Sequence, residues 1–413
     1  MNITRNKCRF CETPLLHSFV DLGMSPMANS YLKTEQLQQM EPFYPLHTYV
    51  CSNCYLVQLP EFESPEHIFS DYAYFSSYSD SWLKHARDYT DMMIRRFCFD
   101  SQSKVIEIAS NDGYLLQYFK ENQVPVLGIE PAGNVAEAAL AKQIPTIVKF
   151  FGTKTARELT AENRHADLLI GNNVLAHVPD LNDFVSGLKI LLKPEGIITM
   201  EFPHLMRLID EKQFDTINHE HFSYFSFNTV NKVFASHGLK IFDVDELPTH
   251  GGSLRIYACH EENASRPVDG RALDLIDKEE SRGFSDMKFY STFGEKVKET
   301  KRAILDFMIR DKRCGKSFAA YGAPAKGNTL LNYCGIRTDF IDYTVDRSPH
   351  KQGLFLPGVH IPIYGPDKIN ETRPDYLVIL PWNLKNEIIE QMSHIRDWGG
   401  KFVVLIPEVQ VID

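Results

Sequence analysis

The sequence has no apolar run near the roughly 20 residues that cross a bilayer, so no membrane-spanning helix is expected. It has no basic excess either. Its 44 lysines and arginines are outnumbered by 54 aspartates and glutamates, for a net charge of −10. That balance argues against a nucleic-acid binder, because phosphate contacts need a basic face. Cysteine is sparse, 8 in 413 residues, far below the density of a disulfide-stapled secreted domain. The first ten residues are polar, with Arg5, Lys7 and Arg9 and no apolar stretch behind them, unlike a signal peptide. These absences predict a cytoplasmic protein whose thiols are free or metal-bound. No low-complexity tract, short repeat or coiled-coil seam is visible, and a monomer is expected.

What is present suits packed domains: 43% of residues are apolar and 12% aromatic, over a length that predicts two to three domains. Residues 1 to about 60 are loop-rich and hold four of the cysteines. From about 101 to 260, apolar runs at 104–109, 126–130, 166–171 and 196–202 alternate with helical stretches, the pattern of a βαβ sheet. Runs at 317–322, 341–346, 376–380 and 401–406 repeat that pattern. Between the blocks, Tyr290, Phe293, Val297, Ile304 and Met308 recur at helical spacing and predict one or two long helices over 270–316. The expected organisation is a small domain over 1–70, an α/β domain over 71–300 and a second Rossmann-like domain over 301–413.

Cys8-Arg9-Phe10-Cys11 and Cys51-Ser52-Asn53-Cys54 are two Cys-x-x-Cys knuckles. Each knuckle lets two thiolates converge on one ion, and two of them complete a tetrahedral zinc shell. Four sulfurs leave no position for water, so such a zinc is structural. Two redox pairs or four separate thiols are the alternative, and the paired spacing favours zinc. Cys98, Cys259, Cys314 and Cys334 read as ordinary buried thiols.

Glu107-Ile108-Ala109-Ser110-Asn111-Asp112-Gly113 follows an apolar strand and opens a helix, where a doubly wound sheet binds its ligand. A dinucleotide fingerprint would place glycine at 109, 111 and 113, and only Gly113 is glycine. Glu107 at the strand end suits a cationic amino group. Glu130, in Gly128-Ile129-Glu130-Pro131 at the end of the next strand, suits the two hydroxyls of a ribose. Together these features resemble a class I S-adenosylmethionine methyltransferase. An NAD enzyme or a purely structural Rossmann sheet stays open on this motif alone.

Asn218-His219-Glu220-His221-Phe222-Ser223-Tyr224 sets two histidines around a glutamate, without the i, i+4 spacing of a zinc protease. An imidazole oriented by the adjacent carboxylate can act as a general base at neutral pH; a turn of satisfied polar groups is the alternative. His177 follows the fourth strand, as a donor to a substrate oxygen or as a turn cap. In Tyr321-Gly322-Ala323-Pro324-Ala325-Lys326-Gly327-Asn328, Lys326 sits at a helix amino terminus, where an anion is favoured. Asp346 ends the next strand, and Arg255 follows Gly251-Gly252 as a second phosphate candidate or a surface arginine. A packing-only βα turn is the alternative for this block.

In order along nearly the whole chain, these strings resemble the zinc-containing S-adenosylmethionine-dependent C-methyltransferases of deoxysugar biosynthesis, which act on nucleotide-linked 4-keto sugars. They are the cysteine quartet, Asp71-Tyr72-Ala73-Tyr74-Phe75-Ser76-Ser77, the Glu107–Gly113 loop, Asn173-Val174-Leu175-Ala176-His177-Val178, His219-Glu220-His221, Gly251-Gly252-Ser253-Leu254-Arg255 and the Gly322 to Asn328 loop. The resemblance implies an α/β class I methyltransferase sheet between a zinc domain and a Rossmann-like carboxyl-terminal domain. It also implies methylation at C3 of a dTDP- or GDP-linked 4-keto-deoxyhexose, leaving S-adenosylhomocysteine. His221 would be the base, with Glu220 beside it and His177 and Tyr72 or Tyr74 lining the sugar pocket. Glu107, Ala109, Asn111, Gly113, Glu130, Pro131 and Asn173 would surround the cofactor, and Arg255, Gly322, Pro324, Lys326 and Asp346 the nucleotide sugar. The family pattern has a tyrosine two positions before the glutamate; here it is Asn218, which can donate to an enolate oxygen but cannot act as a phenol acid. An O- or N-methyltransferase would need no such base, and a non-catalytic sugar-nucleotide binder would not need the cofactor.

Overall fold

All four residues of the strand Val105–Ile108 are buried, and such a strand must be covered on both faces. It is an interior strand of a seven-stranded sheet with the order Leu239–Leu247, Ser253–His260, Leu192–Pro203, Ala166–Asn172, Val105–Ile108, Val126–Ile129, Thr146–Ile147. The last five strands run parallel. Ser253–His260 inserts antiparallel between Leu192–Pro203 and Leu239–Leu247, the hairpin that sets a class I methyltransferase sheet apart from an all-parallel dinucleotide sheet. The computed structural model describes residues 7–66 and 76–413.

A second sheet has the order Ile363–Tyr364, Thr344–Val345, Phe318–Tyr321, Tyr376–Ile379, Lys401–Val404, Gln410–Ile412, parallel except for its last strand. The amino-terminal sheet pairs His17–Ser25, Tyr44–Val50 and Val57–Gln58 antiparallel. Its fourth strand, Ser223–Tyr224, comes from the far side of the chain, with Val57 opposite Tyr224. The segment after His221 is thereby part of the cysteine-bearing domain's sheet.

Three helices, Gly270–Ser281, Met287–Ser291 and Phe293–Arg313, stand where one or two were expected. The first break falls at Gly283, which has φ +93°, and the next helix is capped by the Asp286 side chain accepting from Lys288 N–H. The domain boundary expected at 300 lies inside Phe293–Arg313. Tyr290, Phe293, Val297, Ile304 and Met308 are all fully buried. They join Phe19 and Leu22 of the amino-terminal sheet to Phe318 and Val378 of the carboxyl-terminal sheet in one continuous core. Cys98 and Cys314 are exposed, against expectation, because each closes a helix at its solvent end; Cys259 and Cys334 are buried.

Phe293 stacks on Phe19 at a centroid distance of 4.6 Å. Phe293→Ala is expected to lower stability by about 3–5 kcal/mol, read as a lower urea midpoint; an unchanged midpoint would show that this helix does not tie the two end domains together.

Candidate functional site

The two cysteine knuckles have the same backbone course. Cys8 N–H donates to Thr13 O and Glu12 N–H returns to Cys8 O; Cys51 N–H donates to Leu56 O and Tyr55 N–H returns to Cys51 O. Glu12 and Tyr55, each just after the second cysteine, take left-handed conformations at φ 61° and 63°. The four Sγ atoms all lie within 4.8 Å of one another, with Cys8–Cys54 and Cys11–Cys51 at 3.5 Å. A tetrahedral zinc with bonds of about 2.3 Å needs sulfurs about 3.8 Å apart, so the donor set fits that ion. Gln58 Nε2 donates to Cys8 Sγ at 3.2 Å and Asn53 N–H to Cys51 Sγ at 3.4 Å, as thiolate charge requires. Arg9, inside the first knuckle, donates to Pro179 O at 2.7 Å and Leu59 O at 2.6 Å.

Beyond the strand Val105–Ile108, Ala109, Asn111 and Gly113 have φ of 53°, 49° and 75°. The loop therefore keeps the left-handed backbone of a glycine fingerprint at the two positions that lack glycine, a strain of the kind held at functional sites. Glu130 holds it there: Oε2 accepts Asn111 N–H at 2.8 Å and Oε1 accepts Ala132 N–H at 2.9 Å. At Gly113 a Cβ would lie 2.9 Å from Ile144. Glu107 is fully buried, its carboxyl raised well above the usual range by burial and by Glu130 and Asp112 nearby, and its Oε2 has no partner among the described residues. Asn172 lines the adjoining cavity, and neither of its side-chain polar atoms has a partner among the described residues. Unsatisfied buried acceptors and donors fit a polar ligand such as S-adenosylmethionine.

The cavity has a volume of about 820 Å³. Ala109, Asn111, Glu130, Pro131, Asn173 and His177 of the central domain line it, with Asn218, Glu220 and His221, and Pro324 and Lys326 join from the carboxyl-terminal domain. His221 Nδ1 lies 2.9 Å from Thr216 O and His177 Nδ1 2.8 Å from Glu220 O. A carbonyl only accepts, so both imidazoles carry their proton on Nδ1 and present Nε2 unprotonated. Burial pushes His221 down to about 4 and His177 down to about 3. The rings meet edge to face at 4.6 Å. Both are neutral at pH 7.

Several expectations need correction. The Glu220 carboxylate does not orient His221: it accepts from Asn29 Nδ2 at 2.6 Å, and Thr216 O orients the ring instead. Asn218 lines the cavity but shapes the loop, its Oδ1 accepting Glu220 N–H and its Nδ2 donating to Thr216 O. His219 points away, to Pro45 O and Tyr44. Arg255, Gly322 and Asp346 are not on the cavity wall, and Glu107 and Gly113 flank the wall residues Ile108, Ala109 and Asn111 without lining it themselves. Arg255 is neither a surface arginine nor open to phosphate; it is buried, donates to Glu201 at 3.0 Å and lies over Tyr89. Asp346 accepts Ala323 N–H and Ser348 N–H, holding the loop around Gly322, which packs on Pro381. Tyr72 and Tyr74 lie outside the described residues.

The sequence reading missed Asn29, Tyr31, Asn172, His250 and Lys351, all on the wall. Tyr31 O–H donates to Ala323 O at 2.6 Å, and Lys351 Nζ donates to the same oxygen at 2.9 Å. His250 has φ 54° and a pKa lowered to about 4 by burial; its place before Gly251-Gly252 was the available signal. Asn172 ends the strand Ala166–Asn172, next to the expected Asn173; nothing local marks Asn29, Tyr31 and Lys351, which reach the cavity only through domain packing.

Three family models match the chain: a zinc binding domain over residues 8–69, a methyltransferase domain over 82–244 and a C-methyltransferase C-terminal domain over 248–407. C-methyltransferase NovU of Streptomyces niveus is 34% identical over 410 residues, covering 98% of this chain and 97% of that protein. Among solved structures, PH0226 protein from Pyrococcus horikoshii OT3 is 17% identical with a TM-score of 0.37, over 48% of this chain and 99% of its own. Magnesium protoporphyrin IX methyltransferase (ChlM) from Synechocystis PCC 6803 is 14% identical with a TM-score of 0.33, over 43% and 79%.

His221 carries a pH signature. An unfolded histidine takes up its proton near its ordinary value of about 6.5, whereas the folded one resists down to about 4. Its contribution is constant above about pH 6.5 and is lost as pH falls from there towards 4. Against His221→Gln, which has no proton to take up, the wild type should lose a few kcal/mol of relative stability across that window. Urea melts of both proteins at pH 7 and pH 4.5 check this; a stability difference that does not move with pH would place His221 in water.

Proposed function

The chain belongs to the C-methyltransferase family that joins a zinc binding domain, a methyltransferase domain and a C-methyltransferase C-terminal domain, and on that premise we propose that it methylates C3 of a dTDP- or GDP-linked 4-keto-deoxyhexose from S-adenosylmethionine. The observation that carries this reading is the neutral imidazole of His221 on the cavity wall, its Nδ1–H held by Thr216 O and its Nε2 available as a base.

A saturated carbon is not nucleophilic, so methylation at C3 needs the neighbouring ketone to acidify its proton. His221 Nε2 takes that proton while the electron pair moves onto the C4 oxygen. The donor supplies an electrophilic methyl: the new C–C bond forms as the C–S bond breaks, and S-adenosylhomocysteine leaves. His177, on the same wall, holds the second buried imidazole near the sugar. The Ala109 to Gly113 loop, Glu107, Glu130, Pro131 and Asn173 would hold the donor. Lys326 and Lys351 bring ammonium groups to the carboxyl-terminal side of the wall for the substrate diphosphate, with Gly322, Pro324 and Asp346 shaping that turn. The four cysteines would hold a structural zinc. Its effect on the site runs through Arg9, which reaches Pro179 beside His177 and lies over Phe222 beside His221.

His221→Asn should lower turnover by about 10²–10⁴-fold and abolish deuterium wash-in at C3 in D2O, with affinity for S-adenosylmethionine unchanged; wash-in at the wild-type rate would exclude His221 as the base. In the wild type, kcat/KM should stay flat from pH 8 down to about 5 before its acid limb appears, because the base is already deprotonated there. A limb at the ordinary histidine position would contradict the buried imidazole. Elemental analysis should find one zinc per chain, lost in the Cys8→Ser, Cys11→Ser double variant; full metal content in that variant would place the ion elsewhere.

A further inference from the structure

The carbonyl that orients His221 lies on a short segment, and the carboxyl-terminal domain grips that segment on both sides. One residue before Thr216, the buried Asp215 accepts Trp382 Nε1–H at 2.7 Å. One residue after it, Ile217 O accepts the Thr329 hydroxyl at 3.0 Å. Trp382 follows the strand Tyr376–Ile379, and Thr329 belongs to the helix Ala325–Cys334. Neither residue lines the cavity. The fit around the indole is close: a Cβ at Gly251, which has φ +90°, would collide with the Trp382 ring, and Gln213 Nε2 bridges to Gly251 O at 2.7 Å. Phe214 meets Tyr333 of the same helix edge to face at 5.2 Å.

We infer that Trp382 and Thr329 are positioning residues for the base: through Asp215 and Ile217 they fix the Thr216 carbonyl, which in turn fixes the tautomer and direction of the His221 ring. The tautomer of a neutral imidazole is set by the hydrogen bond its other nitrogen makes, so a wandering Thr216 carbonyl frees the proton to move to Nε2. A base whose Nε2 is protonated cannot accept the C3 proton. The carboxyl-terminal domain thus acts on proton transfer without touching a reacting atom. The kinetic part of this inference rests on the reading of His221 as the base; the tautomer does not.

The test uses the full-length protein with ¹⁵N-labelled histidine, as wild type, Trp382→Phe, Thr329→Val and the double variant, with His221→Gln to assign the ring signals. The wild type should show His221 in the Nδ1–H form, and the double variant a mixture or the Nε2–H form. C3 deuterium wash-in and kcat should fall together, by roughly 10–100-fold in the double variant, while affinity for S-adenosylmethionine stays within about twofold. A double variant that binds S-adenosylmethionine normally and keeps both the Nδ1–H signal and kcat overturns the inference. A tautomer shift with unchanged kcat supports the positioning role and removes His221 as the base. If the double variant no longer binds S-adenosylmethionine, Thr329→Val decides alone, because it exchanges a hydroxyl for a methyl of the same shape: a shifted tautomer supports the inference and an unshifted one overturns it.

Discussion

One segment of chain, residues 213–224, is held by all three parts of the molecule, and the rest of the site depends on it. The carboxyl-terminal domain holds its first half through Asp215 and Ile217. The central domain takes Phe222 N–H on Ala176 O at 2.7 Å, one residue from His177. The amino-terminal sheet takes its end, with Leu59 N–H on Phe222 O and Val57 opposite Tyr224. A buried neutral imidazole is costly to misplace, because its Nδ1–H must find an acceptor where water cannot reach. Three anchors on a dozen residues supply that acceptor at one defined place.

The same arrangement explains why two Rossmann-like sheets serve one cavity. Each sheet reverses its strand order beside its first strand, Val105–Ile108 in one and Phe318–Tyr321 in the other. Ligands of such sheets bind at the carboxyl ends of the strands at that reversal. The loops that follow, around Ala109 and Asn111 and around Pro324 and Lys326, both open onto the same space. The cysteine-bearing domain closes it with Asn29 and Tyr31, which hydrogen-bond to Glu220 and to Ala323. The methyl donor and the acceptor carbon would thus be presented by different domains.

Much of this was legible in the sequence because it rests on local signals. Each Cys-x-x-Cys knuckle, each apolar run of strand length and the loop at Glu107 announces itself within ten residues. The missing glycines were read as a departure, yet Ala109 and Asn111 keep the fingerprint's backbone, because Glu130 and the buried surroundings hold a conformation that propensity alone disfavours. Glu220 and Arg255 were misread for the opposite reason. Adjacency in sequence suggested a carboxylate–imidazole pair, and a charged residue beside two glycines suggested an anion site; tertiary packing gave Glu220 to Asn29 and Arg255 to Glu201. Asn29, Tyr31 and Lys351 reach the cavity only once the domains dock, and no spacing rule marks them.

The most direct test is a structure of the protein with S-adenosylhomocysteine and the proposed nucleotide-linked keto sugar bound together. His221 Nε2 should then lie within about 3.5 Å of the carbon to be methylated, with Nδ1 still on Thr216 O. An Nε2 more than about 5 Å from that carbon, or turned onto the substrate phosphates, would contradict His221 as the base.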